Sequence, residues 1–206
     1  MVPRFGKAKF GLAARITLLL VLVAGIGGVA ALAWERRLPK RMAVVEPNVL
    51  YRSGQPDTDQ LETLRDEYGI KTILIVRKGD SRRVPEEVEY AESLGMNVVR
   101  IPIESRVPLS DDEVRQFFQC VDEPANHPVL VHCSAGRHRT GYLCAMYRIE
   151  RQGWTVEKAL DEMLSFGFDR ESQTAVEKQL RAYQPKGNGA WKETTADSNK
   201  PALARP

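Results

Sequence analysis

The stretch Val129-Leu-Val-His-Cys-Ser-Ala-Gly-Arg-His-Arg-Thr-Gly141 constrains the fold more than any other part of the chain. An apolar run from Pro128 to Val131 leads in, and a helix-compatible run from Tyr142 to Arg151 leads out. That pattern is strand, tight loop, helix start. Such a loop can turn its backbone N–H groups inward at a helix N-terminus, where they bind an anion. A thiol at its base, Cys133, is held as thiolate by the same field. Arg139 adds a planar fork of donors that grips two phosphate oxygens at once. Nucleophile, oxyanion cradle and phosphate clamp thus sit within one loop, as phosphoryl transfer to sulfur requires. The bland alternative is that Cys133 is a buried core thiol at a strand end, the usual fate of a lone cysteine.

His132, Cys133, Gly136, Arg139, Thr140 and Gly141 match a His-Cys-x5-Arg-(Ser/Thr)-Gly pattern. Here the chain resembles the cysteine-dependent protein tyrosine and dual-specificity phosphatase superfamily, most nearly the atypical dual-specificity phosphatases of plants, fungi and bacteria. The likeness spans residues 43–184, closely at 128–148 and loosely elsewhere. It implies a catalytic set of Cys133, Arg139 and Thr140. It also implies a phosphate-binding loop of Ser134, Ala135, Gly136, Arg137, His138 and Arg139. The Thr140 hydroxyl would serve the Cys133 sulfur. His132 would order the loop and help lower the thiol pKa. Its side chain lies on the opposite strand face from Cys133, which argues against a general-base role. Arg137 and His138 are expected to add positive charge at the rim, or else to form a solvated loop surface. The Gly-Arg-His-Arg-Thr-Gly run resembles the plant and fungal branch, some members of which cleave inositol pyrophosphates. Tyr51-Arg-Ser-Gly-Gln-Pro56 resembles the entry to the phosphatase domain. Physically it reads as a loop closing the sheet edge, with Arg52 open as a second phosphate ligand or a domain staple.

A leaving alcohol needs a proton and a phosphoenzyme needs an activated water. The resemblance implies an Asp for both tasks, on a loop upstream of the cysteine. Here that loop is Ile101-Pro-Ile-Glu-Ser-Arg-Val-Pro-Leu-Ser-Asp-Asp112, and Ser105 stands where the Asp is expected. Glu104 and Asp111 are equal candidates, with Asp112 behind them. A carboxylate in a first helical turn is often only a partner of the helix dipole. A further alternative is that no acid exists and substrates carry good leaving groups.

The 206 residues suffice for one domain with a proper core. A formal charge of +3 gives no reason to expect a nucleic-acid partner. Cys120, Cys133 and Cys144 show no paired or zinc-like spacing. Cys120 and Cys144 fall on apolar faces of expected helices. Neither metal nor organic cofactor is expected.

Ile16 to Trp34 carries no charge. Its length is about the ~20 apolar residues that span a bilayer as a helix, and Trp34 would sit at the interface. The expectation is an uncleaved single-pass anchor. A signal peptide cleaved near Ala31-Leu-Ala33 is the alternative. Arg4, Lys7, Lys9 and Arg15 balance Arg36, Arg37, Lys40 and Arg41, so the side on which the domain lies stays open. Export is slightly favoured by the short basic N-terminus, although a cytoplasmic domain suits a reactive thiol better.

After this segment, 1–41, two short strands are expected about the Pro47-Asn48 turn. Helix 58–68 stops at Gly69, and strand 70–76 follows. Helix 85–94 stops at Gly95, and strand 97–103 follows. A helix capped by Ser110 and Glu113 precedes strand 128–132. Helices 155–164 and 171–183 close the domain at 184. Residues 185–206, poor in apolar side chains, read as a disordered tail. Strands alternating with helices imply an α/β fold with a largely parallel central sheet flanked by helices, as in dual-specificity phosphatases, preceded by one transmembrane helix. Ligands then bind at the carboxyl ends of the strands, where Cys133 lies.

The first functional expectation is a membrane-anchored phosphatase acting on phosphomonoesters, a protein tyrosine or dual-specificity phosphatase. Its alternative is an inositol (pyro)phosphate or phosphoinositide phosphatase. A sulfurtransferase and a phosphate-binding pseudophosphatase are the other readings. The partners implied are phosphorylated protein or inositol phosphate substrates, and the membrane.

Overall fold

Val, Ile and Leu gather in short runs that are too brief for helices and suit buried strands. In the computed structural model, which describes residues 16–17, 19–22, 37–79, 83–187 and 191, these runs form one five-stranded sheet. The strands are β1 (Ala43–Glu46), β2 (Leu50–Gly54), β3 (Thr72–Ile75), β4 (Asn97–Arg100) and β5 (Val129–Cys133). Their order is β1-β2-β5-β3-β4. The pairs β2–β5, β5–β3 and β3–β4 are parallel, whereas β1 runs antiparallel to β2.

The sheet is therefore mixed, and the expectation of a largely parallel one is corrected at this edge. The cause is local. Only Pro47, Asn48 and Val49 separate β1 from β2, with Asn48 in the left-handed region at φ 60°. A connection so short can join only antiparallel strands. The segment Tyr51–Pro56 also differs from expectation. Most of it is strand, and it pairs with β5 inside the sheet rather than closing an edge.

Six helices flank the sheet: α1 (Thr58–Tyr68), α2 (Arg83–Ser93), α3 (Asp111–Val121), α4 (Arg139–Gln152), α5 (Val156–Ser165) and α6 (Thr174–Arg181). The caps follow side-chain chemistry. Asp57 with Gln60 and Ser110 with Glu113 form capping boxes, and Gly69 ends α1 in the left-handed region at φ 63°. Such caps each contribute about 1 kcal/mol.

Alternation along β5 divides two apolar cores. Val129, Val131 and Cys133 face a cluster containing Phe117, Phe118 and Leu143. Leu130 faces a second cluster with Leu61, Leu64, Val84 and Ala91. His132 follows Leu130 by the two-residue period. The opposite-face expectation for His132 and Cys133 therefore holds, and it determines which helices each can meet. Gly54, Ile75 and Cys133 end their strands at one edge, with Gly54 opposite Cys133 and Ile75 opposite His132.

Residues 1–38 form a separate unit, of which residues 16–17 and 19–22, as helix, and 37–38 are described. Among the described residues no helix is long and apolar enough to cross a membrane. The expected span over 16–34 lies mostly outside the described residues. At the other end, residues 185–187 and 191 are the described part of the tail. Lys186 and Gly187 donate backbone N–H bonds to the half-buried Glu150 carboxylate at 2.9 Å each. The Trp191 ring is buried and stacks on Phe118 at 5.6 Å. An aromatic side chain and a buried carboxylate offset the polar composition there.

Candidate active site

The strand β5 delivers Cys133 to the sheet edge, and α4 begins only six residues later at Arg139. The chain must reverse between them, and Gly136 allows this at φ 68°. A methyl group on Gly136 would lie 2.6 Å from the backbone of Ser53 and Gly54. The loop is thus seated directly on the end of β2, with no room for a side chain between them.

Cys133 is 3% exposed. Burial pushes its thiol up, yet the net effect lowers it from 9.0 to about 7. The opposing groups are the Thr140 hydroxyl and N–H, the Arg139 charge and the Gly136 N–H. The two other free cysteines serve as internal controls. Burial raises Cys120 to about 12 and Cys144 to about 11, where no such loop surrounds them. Both are core residues, as expected. The buried Thr140 hydroxyl makes no hydrogen bond to any nitrogen or oxygen among the described residues. It is left to serve the Cys133 sulfur.

His132 is fully buried, with Nε2 2.7 Å from Glu87 Oε1 and Nδ1 3.2 Å from the Cys133 carbonyl oxygen. Both neighbours are acceptors, an environment that suits the imidazolium, which carries a proton on each ring nitrogen. Burial works against that charge, but Glu87 outweighs it and raises the His132 pKa. Glu87 also accepts from Gln55 Nε2 at 2.7 Å, and Gln55 Oε1 accepts from Arg77 Nη1 at 3.0 Å. Sequence reading missed Glu87 and Gln55. A signal was present, since Glu87 sits among Val84, Val88 and Ala91 on the apolar stripe of α2. A carboxylate on such a stripe calls for a buried partner.

The loop is held from behind. The Gln55 N–H donates to Ser134 O at 3.2 Å, Arg41 Nη1 to Ala135 O at 3.2 Å, and Arg52 Nη2 to Gly136 O at 2.9 Å. Arg52 is buried, with its guanidinium 3.8 Å from the centre of the Phe166 ring. Its hydrogen bond goes to the loop backbone and braces the loop from behind. Arg139 Nη1 donates to the Ile103 carbonyl at 3.1 Å, tying the signature loop to the loop that leads to α3.

At the rim, His138 Nε2 accepts the Asp169 N–H at 3.4 Å, and burial, followed by the Arg137 charge, lowers its pKa and so works against a positive charge there. Arg137 lays its side chain against Gly167.

The acid candidates are each engaged by other side chains. Glu104 pairs with Lys78 at 3.0 Å, and that bond, with the Ser105 N–H and the charges of Lys78 and Arg139, holds its carboxyl below the usual range. Asp111 pairs with Lys186 at 2.8 Å. Asp112 accepts from Arg115 at 2.9 Å and Gln116 at 2.7 Å along its own helix. The Ser105 N–H donates to Glu104 at 3.3 Å. The ionisation of Glu104 also senses the charge of Arg139.

Residues 35–181 match the family described as DSP-PTPase phosphatase fused to NAD+ kinase. The dual specificity protein phosphatase TpbA of Pseudomonas aeruginosa strain UCBPP-PA14 is 32% identical over 169 residues, covering 76% of this chain and 74% of that protein. The inositol diphosphatase DSP4 of Arabidopsis thaliana is 32% identical over 132 residues, covering 62% of this chain and 64% of that protein. The crystal structure of the core catalytic domain of the PP-IP phosphatase SIW14 from S. cerevisiae superposes with a TM-score of 0.63 at 24% identity. It covers 71% of this chain and 87% of that one, which bears on the fold.

Proposed function

The chain belongs to the DSP-PTPase phosphatase family, and from that premise we propose that it hydrolyses phosphomonoesters through a phosphocysteine on Cys133. The observation that carries this reading is a buried thiol drawn down to about 7 while its two sister cysteines are driven up. The Cys133 thiolate attacks phosphorus in line, an S–P bond forms, and the P–O bond to the leaving group breaks. Loop N–H groups and the Arg139 fork hold the equatorial oxygens as charge develops on them. Water then cleaves the S–P bond, releasing phosphate and the thiolate. The Thr140 hydroxyl donates to the departing sulfur and eases that second step. Phosphotyrosine and dual-specificity protein substrates are the first substrate class, supported by likeness to the Pseudomonas enzyme.

Inositol diphosphates are the second reading. A specific observation favours them besides the likeness to the Arabidopsis enzyme. The carboxylates of Glu104, Asp111 and Asp112 are engaged by Lys78, Lys186, Arg115 and Gln116. A phosphoanhydride needs little protonation of its leaving group, whereas an alkyl ester needs much. One panel decides between the classes: phosphotyrosyl and phosphoseryl peptides, phosphoinositides and inositol pyrophosphates, compared by kcat/KM. The first reading requires the phosphotyrosyl peptides to lead. An inositol pyrophosphate in first place would replace it with the second.

The uncharged run 16–34 supports a single-pass membrane anchor. The full chain should then be recovered with membranes and resist carbonate extraction. Recovery as soluble protein with an intact N-terminus would contradict the anchor.

A further inference from the structure

Three successive carbonyls of the signature loop are each captured from outside by one short segment of chain. Ser134 O accepts from the Gln55 N–H, Ala135 O from Arg41 Nη1, and Gly136 O from Arg52 Nη2. In a planar trans peptide the C=O and the following N–H point in opposite directions. Holding these carbonyls outward therefore turns the N–H groups of Ala135, Gly136 and Arg137 inward. One of the three shows this directly, because the Gly136 N–H is among the groups that lower the Cys133 thiol.

Two of the donors are costly in themselves. Arg41 adopts φ 60°, where a non-glycine residue stores of order 1 kcal/mol of strain. Its Nε donates to the Phe166 carbonyl at 2.9 Å, fixing the guanidinium between two loops. Arg52 is 1% exposed, and neither its Nε nor its Nη1 has a hydrogen-bond partner among the described residues. A buried guanidinium without a carboxylate is a poor device for stability. Its hydrogen bond goes to the loop, and its charge lies beneath a site built to hold a thiolate and a phosphoryl dianion.

We propose that Arg41 and Arg52 are positioning residues that set the anion cradle, turning its N–H groups toward the transferring phosphoryl group without touching substrate. The inference rests on the phosphatase reading of the same loop. It predicts that losing either arginine weakens anion capture and raises the thiol, more than it weakens the fold. A residue serving only as a structural staple would do the reverse.

The test uses the full chain and its variants Arg52→Met, Arg41→Gln and Arg52→Lys. Met keeps an unbranched side chain against Phe166 but donates nothing. Tungstate affinity, the pH midpoint of Cys133 alkylation, and thermal unfolding are measured on each. Arg52→Met and Arg41→Gln should each weaken tungstate binding roughly tenfold, the scale of one charge-assisted hydrogen bond. They should also move the alkylation midpoint above that of the wild type. Arg52→Lys, which keeps a charged donor, should recover part of both losses. Should Arg52→Met fail to fold, the partly exposed Arg41→Gln decides alone. Wild-type tungstate affinity and alkylation midpoint in the folded variants would overturn the inference and leave the phosphatase reading standing. A wild-type chain that neither binds tungstate nor hydrolyses nitrophenyl phosphate would overturn both.

Discussion

Glu87 Oε1 lies 2.7 Å from His132 Nε2, with both side chains buried, on the face of β5 opposite the thiol. The carboxylate favours the charged imidazole one residue before Cys133, and imidazole and sulfur interact electrostatically. Glu87→Gln should therefore move the acidic limb of kcat/KM upward, with kcat falling more than KM rises. Stability gives a second readout. The His132 pKa is raised on folding, so the pair's contribution is complete below the ordinary 6.5 and fades as pH rises through the raised value. The stability gap between wild type and Glu87→Gln should be widest in acid, by about 3 kcal/mol, and narrow toward high pH. A gap that widens with rising pH would contradict the charged pair.

The thiol has the opposite sign. Its pKa is depressed from 9.0 to about 7, so the thiolate's contribution to folding is present above 9 and lost as pH falls through 7. Denaturant titrations of wild type and Cys133→Ser should diverge in favour of wild type between pH 7 and 9. Iodoacetamide should alkylate Cys133 with a midpoint near 7, while Cys120 and Cys144 stay unreactive in the folded chain. A midpoint near 9 would remove the basis for a poised nucleophile.

Gly136→Ala tests the seating of the loop. The added methyl would meet backbone atoms of Ser53 and Gly54 at 2.6 Å, and backbone cannot step aside as a flexible side chain can. The left-handed φ adds roughly 1–2 kcal/mol. Nitrophenyl phosphate turnover should fall on the order of a hundredfold or more, as a cradle displaced by about 1 Å implies. Near-normal turnover would mean that the cradle tolerates a different loop path.

The acid candidates separate by substrate. If Glu104, whose ionisation senses Arg139, is the acid, Glu104→Gln should lower the rate on poorly activated aryl phosphates and spare nitrophenyl phosphate. Asp111→Asn breaks only an exposed pair with Lys186 and should change stability by less than about 1 kcal/mol and leave both rates alone. If all three neutral variants keep wild-type profiles on both substrates, no carboxylate of this loop is the acid. The inositol pyrophosphate reading would then gain.

Much of this site was legible because its parts adjoin in sequence. Cys133, Gly136, Arg139 and Thr140 lie within one turn of chain, and period-two alternation alone put His132 and Cys133 on opposite faces. Helix ends at Gly69 and Ser110 were legible for the same local reason. What escaped was long-range. Nothing near Glu87 in sequence announces His132, and Arg41 read as one more basic residue of a linker, although it reaches Ala135. The mixed sheet escaped because Tyr51–Gly54 looks like a turn-rich loop until its pairing with β5 is known. Trp191 escaped because a single aromatic in a polar tail says little about composition yet finds Phe118 in space.

The central claim is a covalent one: the phosphoryl group passes through the sulfur of Cys133. The direct measurement is acid quench of the full chain during turnover of nitrophenyl phosphate, followed by peptide mass spectrometry. One phosphoryl group should appear on the peptide bearing Cys133, and Cys133→Ser should lose both this adduct and turnover while still binding tungstate. Turnover by pure Cys133→Ser, or a phosphoryl group trapped on another residue, would contradict the account.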